Sequence, residues 1–172
     1  MPDQPRVAVV MGSDSDLPVI EHTVETLETL DLPFELRVLS AHRSPDAVEE
    51  YARTARERGL EAIIAAAGGA AHLAGVLAAN TTLPIIGVPV PTSRMGGMDS
   101  LFSTIQMPSG VPVACVGLGK SGARNAAVLV AQILAGADPA LRDRLAEYKA
   151  ELSEGVGEQN SRVQEWLKER RG

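Results

Sequence analysis

Three histidines occur in the 172-residue chain. One of them stands beside an arginine in the stretch SAHRSPD, residues 40–46. An imidazole near its unperturbed pKa can give and take a proton around neutrality, so His42 is the best acid/base candidate in the chain. The guanidinium of Arg43 offers a planar fork of donors that fits phosphate. Ser40 and Ala41 are small enough to leave room for a planar ring beside them, and Ser44 with Pro45 reads as a helix N-cap followed by the first helical position. Together these residue types suit proton transfer on a small phosphorylated molecule.

Two more loops could serve the same ligand. In GSDSDLP, residues 12–18, a glycine permits a sharp turn and Asp16 with Pro18 marks a helix start. The unpaired N–H groups of such a start attract anions, with the hydroxyls of Ser13 and Ser15 on the same side. A carboxylate repels phosphate, so Asp16 is better suited to accept hydrogen bonds from ribose hydroxyls. In AAAGGAAHLAG, residues 65–75, the near absence of side chains at Gly68, Gly69 and Ala70 lets backbone approach a flat ligand closely. His72 falls in the first turn of the next helix, where ligand contact and a structural role are both open.

Two other patterns are decoys. Gly117, Gly119 and Gly122 have the G-x-G-x-x-G spacing of a dinucleotide fingerprint, but no strand ending in an acidic residue follows about 20 positions on. The GKS at residues 119–121 lacks the glycine a phosphate-binding P-loop needs at position 114, which is Ala114. Close helix packing accounts for these glycines.

The elements that must hold the three loops can be read from apolar runs at residues 6–11, 33–40, 61–67, 84–88 and 111–117. Between them lie segments with helical spacing, such as Leu17, Ile20, Val24, Leu27 and Leu30, or Val48, Ala52 and Ala55. The alternation predicts an α/β fold, a five-stranded parallel sheet with helices on both faces. The first, third and fifth runs are nearly all apolar and are expected to be buried on both sides, whereas FELRVLS alternates and is expected near an edge. Ligands of such sheets bind beyond the carboxyl ends of the strands. After residue 136 no strand signal remains, and the charged segment 137–172 predicts two more helices broken near EGVG, with a stripe at Leu141, Leu145, Tyr148 and Leu152. The whole chain, 1–172, reads as one domain, a core at 6–136 with a C-terminal helical extension.

Bulk properties exclude several classes. A formal net charge of −6 and 3% aromatic residues argue against binding nucleic acid through its phosphates or by base stacking. No run of about 18 apolar residues suggests a membrane span, and no apolar leader follows the N-terminus. The one cysteine, Cys115, lies in VPVACVG and is expected to be a buried small hydrophobe, in keeping with a reducing cytoplasm.

The motifs VMGSDSD, SAHRSPD, AGGAAHLAG, PIIGVPV, DSLFSTIQMPSGVPV and GKSGARNAA, in that order over residues 6–136, resemble the small bacterial type of the N5-carboxyaminoimidazole ribonucleotide mutase family of purine biosynthesis. The resemblance implies a three-layer flavodoxin-like fold and a homo-octamer whose active sites are completed by a neighbouring subunit. It implies a nucleotide substrate and a carboxylate shift that needs no cofactor, metal, ATP or biotin. It also implies roles for individual positions: His42 as the catalytic histidine, Ser13 and Arg43 at the phosphate, Asp16 at the ribose, and Gly68 to Ala70 along the imidazole and carboxylate. His72 matches a second histidine of the family. Leu17 and Ala74 depart from residues common in the family, tryptophan and proline, and neither departure removes a reacting group. The segment 91–108, with adjacent glycines and methionines, is the candidate lid or intersubunit wall. Direct carboxylation of aminoimidazole ribonucleotide by free carbon dioxide is the nearest enzymatic alternative, and a non-catalytic nucleotide sensor is the alternative from another class.

Overall fold

A computed structural model describes residues 4–93 and 95–171; Arg94 of the 91–108 segment and the chain ends lie outside the described residues. Among the described residues five strands and six α-helices follow one another: β1 (Val7–Met11), α1 (Leu17–Thr29), β2 (Phe34–Val38), α2 (Pro45–Thr54), β3 (Ala62–Gly68), α3 (Leu73–Asn80), β4 (Ile85–Val90), α4 (Met98–Ile105), β5 (Ala114–Cys115), α5 (Gly119–Leu134) and α6 (Pro139–Arg171). The strands form one all-parallel sheet in the order β2-β1-β3-β4-β5. That order is the flavodoxin-like one, with its topological switch between β1 and β3.

Both faces of the central strands are covered, which is why their sequences are continuously apolar. Along β1, Val7, Val9 and Met11 pack toward α1 and α5, while Ala8 and Val10 pack toward α2 and α3. On β3, Ile64 and Ile63 make the same division, and both are fully buried. Burying each such side chain contributes about 1.5–3 kcal/mol before chain entropy is counted. The α1 stripe buries Ile20, Leu27 and Leu30 as its spacing predicts, whereas Leu17, in the first turn, faces solvent. Thr23 donates a 2.8 Å hydrogen bond to the Ala123 carbonyl, tying α1 to α5 inside the core.

Close approach explains the glycine decoy. A Cβ on Gly122 would collide with the Gly117 carbonyl, so these residues let the start of α5 fold tightly against the turn that precedes it. Likewise Gly87 on β4 makes room for the methyl group of Thr104 on α4, which seats α4 on the sheet.

Three expectations need correction. β2 is an edge strand as its alternation predicts, but the fifth apolar run is also at an edge: β5 is two residues long, and Ala114 is exposed. Pro112 cannot donate to a ladder and Gly110 takes a φ of 88°, so pairing begins only at Ala114, and β4, like β1, is buried throughout. Cys115 is consequently half-buried; burial still pushes its thiol pKa up, away from reactive thiolate. Last, α6 is one helix of 33 residues rather than two. Neither Gly155 nor Gly157 has a positive φ, and each costs about 1 kcal/mol relative to alanine in a helix without forbidding one. Only Leu141 and Leu145 of its stripe are buried; Leu152 is 57% exposed.

Candidate active site

The loops after β1, β2, β3 and β4 converge at the carboxyl edge of the sheet on an open cavity of about 850 Å³. All eleven residues singled out in the sequence line it: Ser13, Ser15, Asp16, Ser40, Ala41, His42, Arg43, Gly68, Gly69, Ala70 and His72. The central strands β1, β3 and β4 beneath are almost wholly buried, so exposed polar groups stand on a packed base.

After β1 the chain turns through Asp14–Asp16 in a single 3-10 turn and enters α1. Ser13 caps this turn, its hydroxyl oxygen accepting from the Ser15 amide at 3.3 Å and from the Ser15 hydroxyl at 2.9 Å. The Ser13 hydroxyl itself donates to Asp14 at 3.2 Å. Asp16 is 7% exposed. Burial raises its carboxyl pKa, the neighbouring Asp14 adds to the rise, and backbone hydrogen bonds at Ser13 and Gly12 oppose it. A buried carboxyl of this kind prefers a neutral hydroxyl partner to a phosphate.

After β2, Ser40 and Ser44 knit the loop: Ser44 donates to the Ser40 carbonyl at 3.1 Å and accepts from the Ser40 amide at 3.2 Å. The guanidinium of Arg43 lies across the gap between two strands, its Nη2 donating to the Gly12 carbonyl at 3.0 Å and its Nε to Ser40 Oγ at 3.3 Å. Among the described residues no carboxylate forms a salt bridge with it. It is a cation with donors to spare in a protein of net charge −6, which is the local positive field an anionic ligand needs.

After β3, Gly69 takes a φ of 63°, the left-handed conformation that turns the chain into α3. His72 is the N-cap residue of α3. Its Nδ1 lies 2.8 Å from Nε2 of His42, with the rings edge to face and centroids 4.8 Å apart. The third histidine, His22, is on α1, with Nδ1 3.0 Å from Glu25, and does not line the cavity.

Residues from Val90 to Ser93 also line the cavity; Pro91 to Ser93 begin the 91–108 segment read as a lid or intersubunit wall, but none of the four was singled out as a ligand-binding residue. The available signal was topological: a fourth parallel strand must also deliver its carboxyl end to the same edge. Beyond them, α4 is anchored through Ser100, whose hydroxyl is buried and donates to the Val90 carbonyl at 2.7 Å, and through Ser103, which reaches the Gly69 carbonyl at 3.4 Å. Met98, Phe102 and Ile105 on its other side are exposed.

Comparison with known proteins shows the family. The sequence model described as AIR carboxylase matches residues 6–155. The chain is 52% identical over 162 residues to a Mycobacterium tuberculosis protein named N5-carboxyaminoimidazole ribonucleotide mutase, covering 94% of this chain and 92% of that one. It is 51% identical over 160 residues to the Bacillus subtilis protein of the same name, covering 93% and 99%. The crystal structure of Treponema denticola PurE superposes with a TM-score of 0.81 at 27% identity, covering 92% of this chain and 98% of that chain.

Proposed function

Because the chain belongs to the AIR carboxylase family, we propose that it is an N5-carboxyaminoimidazole ribonucleotide mutase, an isomerase of purine biosynthesis. It moves a carboxylate from the exocyclic nitrogen of an aminoimidazole ribonucleotide to ring carbon C4. The observation that carries the proposal is the meeting of His42, Arg43, Asp16 and the Gly68 to Ala70 backbone in one cavity.

In this scheme Arg43, Ser13 and Ser15 hold the phosphate and Asp16 accepts from the ribose. Ser40, Ala41, the Gly68 to Ala70 backbone and His72 bound the imidazole and its carboxylate. Protonated His42 gives its proton to the exocyclic nitrogen as the nitrogen–carbon bond breaks, the bonding electrons staying on nitrogen and the carboxylate leaving as carbon dioxide. The freed amine conjugates with the ring and makes C4 nucleophilic. Attack of C4 on the trapped carbon dioxide leaves that carbon tetrahedral, and neutral His42 removes its hydrogen to restore the aromatic ring. One imidazole thus acts as acid and then as base, while phosphate binding holds the ring in place between the steps.

Incubation of the purified protein with the N-carboxylated nucleotide in metal-free, ATP-free buffer tests the proposal, with formation of the C-carboxylated isomer as the expected result. The family's own description favours one second reading, direct carboxylation of aminoimidazole ribonucleotide. Higher efficiency with that nucleotide and bicarbonate would establish it instead, and stoichiometric binding without isomerisation would make the protein a nucleotide sensor.

The proposal extends to a cytoplasmic homo-octamer in which the 91–108 segment of one subunit closes the site of another. The exposed apolar side of α4, with Phe102 56% exposed, supports a neighbour there. Sedimentation at several concentrations checks it, a monomer being the adverse result. No helix among the described residues is long and apolar enough to cross a membrane.

A further inference from the structure

We propose that His72 is a positioning residue for His42: its Nδ1 accepts a hydrogen bond from the N–H at His42 Nε2, holding that donor nitrogen at the cavity before substrate binds.

Two ring nitrogens 2.8 Å apart require one N–H and one lone pair between them, so the bond fixes the tautomers of both rings. It also excludes two cations: the bonded pair accommodates one positive ring, because a doubly protonated His72 would offer no lone pair at Nδ1. The fold indicates which ring donates. His72 is itself the N-cap of α3, a position whose free N–H groups favour an acceptor, whereas His42 precedes the Ser44 cap of α2 by two residues. Nδ1 of His72 is therefore assigned the lone pair and Nε2 of His42 the N–H, with the two rings edge to face at the cavity. Both side chains are exposed and both line the cavity, so a ligand can enter between them. Arg43 is the other charged group in the His42 loop, and its guanidinium is turned to Gly12 and Ser40 instead.

The kinetic part rests on the mutase reading; the tautomer part does not. Nitrogen-15 NMR of the imidazoles in the ligand-free protein is expected to show His42 protonated at Nε2 and His72 unprotonated at Nδ1. His72→Phe should shift the His42 nitrogen signals and lower kcat on the order of a hundredfold, the penalty of a misaligned reacting group, with KM changed less than about threefold. His72→Asn, whose amide oxygen takes roughly the place of Nδ1, should restore most of that loss. Unchanged His42 signals in His72→Phe, a proton found on His72 Nδ1, or equal impairment of the Asn and Phe variants would each overturn the proposal. Correct tautomers in a protein that isomerises nothing would refute the mutase reading and leave the pairing standing.

Discussion

The cavity edge of the sheet and the outer half of α6 are both exposed, yet the chain treats them in opposite ways. At the cavity, polar side chains are tied to their surroundings: Arg43 to Gly12 and Ser40, Ser13 to Ser15, His42 to His72. Ser13 and His72 follow β1 and β3, whose central residues are buried, while His42 and Arg43 follow the edge strand β2. Along α6, Leu152, Val156, Val163 and Trp166 are each more than half exposed; the guanidinium of Arg170 lies 5.3 Å from the Trp166 ring centroid, and these side chains take no part in the buried core among the described residues. Exposure combined with fixed polar geometry marks a place built to receive a small ligand. Exposure of apolar groups on a regular helix marks a surface whose burial free energy the lone subunit does not realise.

Substitutions can break or sharpen this contrast. The largest effect is expected for His42→Asn, which should keep ligand binding and lose about 10²- to 10⁴-fold in turnover, the usual worth of a general acid/base. Steady-state rates beside a binding titration check it, and parent-like turnover would remove His42 from the chemistry. In the scaffold under the cavity, Ile64→Ala should cost about 2–5 kcal/mol of stability, measured by denaturant unfolding, because it empties a fully buried site between sheet and helices. Arg43→Ala removes charge-assisted hydrogen bonds of about 1.5–3 kcal/mol, so KM should rise by roughly one to two powers of ten with kcat little changed. Equal binding of a nucleoside lacking phosphate to the parent would contradict that assignment.

Asp16 gives a smaller, pH-dependent effect. Its pKa in the folded protein is raised above the ordinary 3.8 by burial, so the folded state binds the proton more tightly than the unfolded one. Its contribution to stability is therefore greatest at low pH and falls as the pH rises from about 3.8 through the raised value. The unfolding free energy of the parent minus that of Asp16→Asn should fall as the pH rises over that window; a constant difference would show that burial does not perturb the group. The smallest change is expected on α6, where Val156→Ala should alter the unfolding free energy of the dissociated chain by less than about 0.5 kcal/mol. A loss comparable to that of Ile64→Ala would mean that the outer helix is packed after all.

The order of strands and helices, the edge position of β2 and the three loops that meet at the cavity were all legible in the sequence, because each depends on local patterns: apolar runs, helical spacing, a cap followed by proline. His42 and Arg43 could be singled out for the same reason, since residue type and flanking residues define what they are able to do. The part played by Val90 to Ser93 was not legible as chemistry, for those residues carry no distinctive reacting group and enter the site only because β4 lies beside β3.

Sequence by itself therefore determined the alternating architecture and the kinds of side chain available to a ligand, since both follow from periodicity and chemistry within a few residues. Tertiary structure alone decided that the fifth apolar run would be a two-residue edge strand, that Gly155 and Gly157 would pass through an unbroken helix, and that two imidazoles 30 residues apart would share a hydrogen bond. Those outcomes depend on which distant segments become neighbours, and neighbours are chosen by the packing of the whole chain.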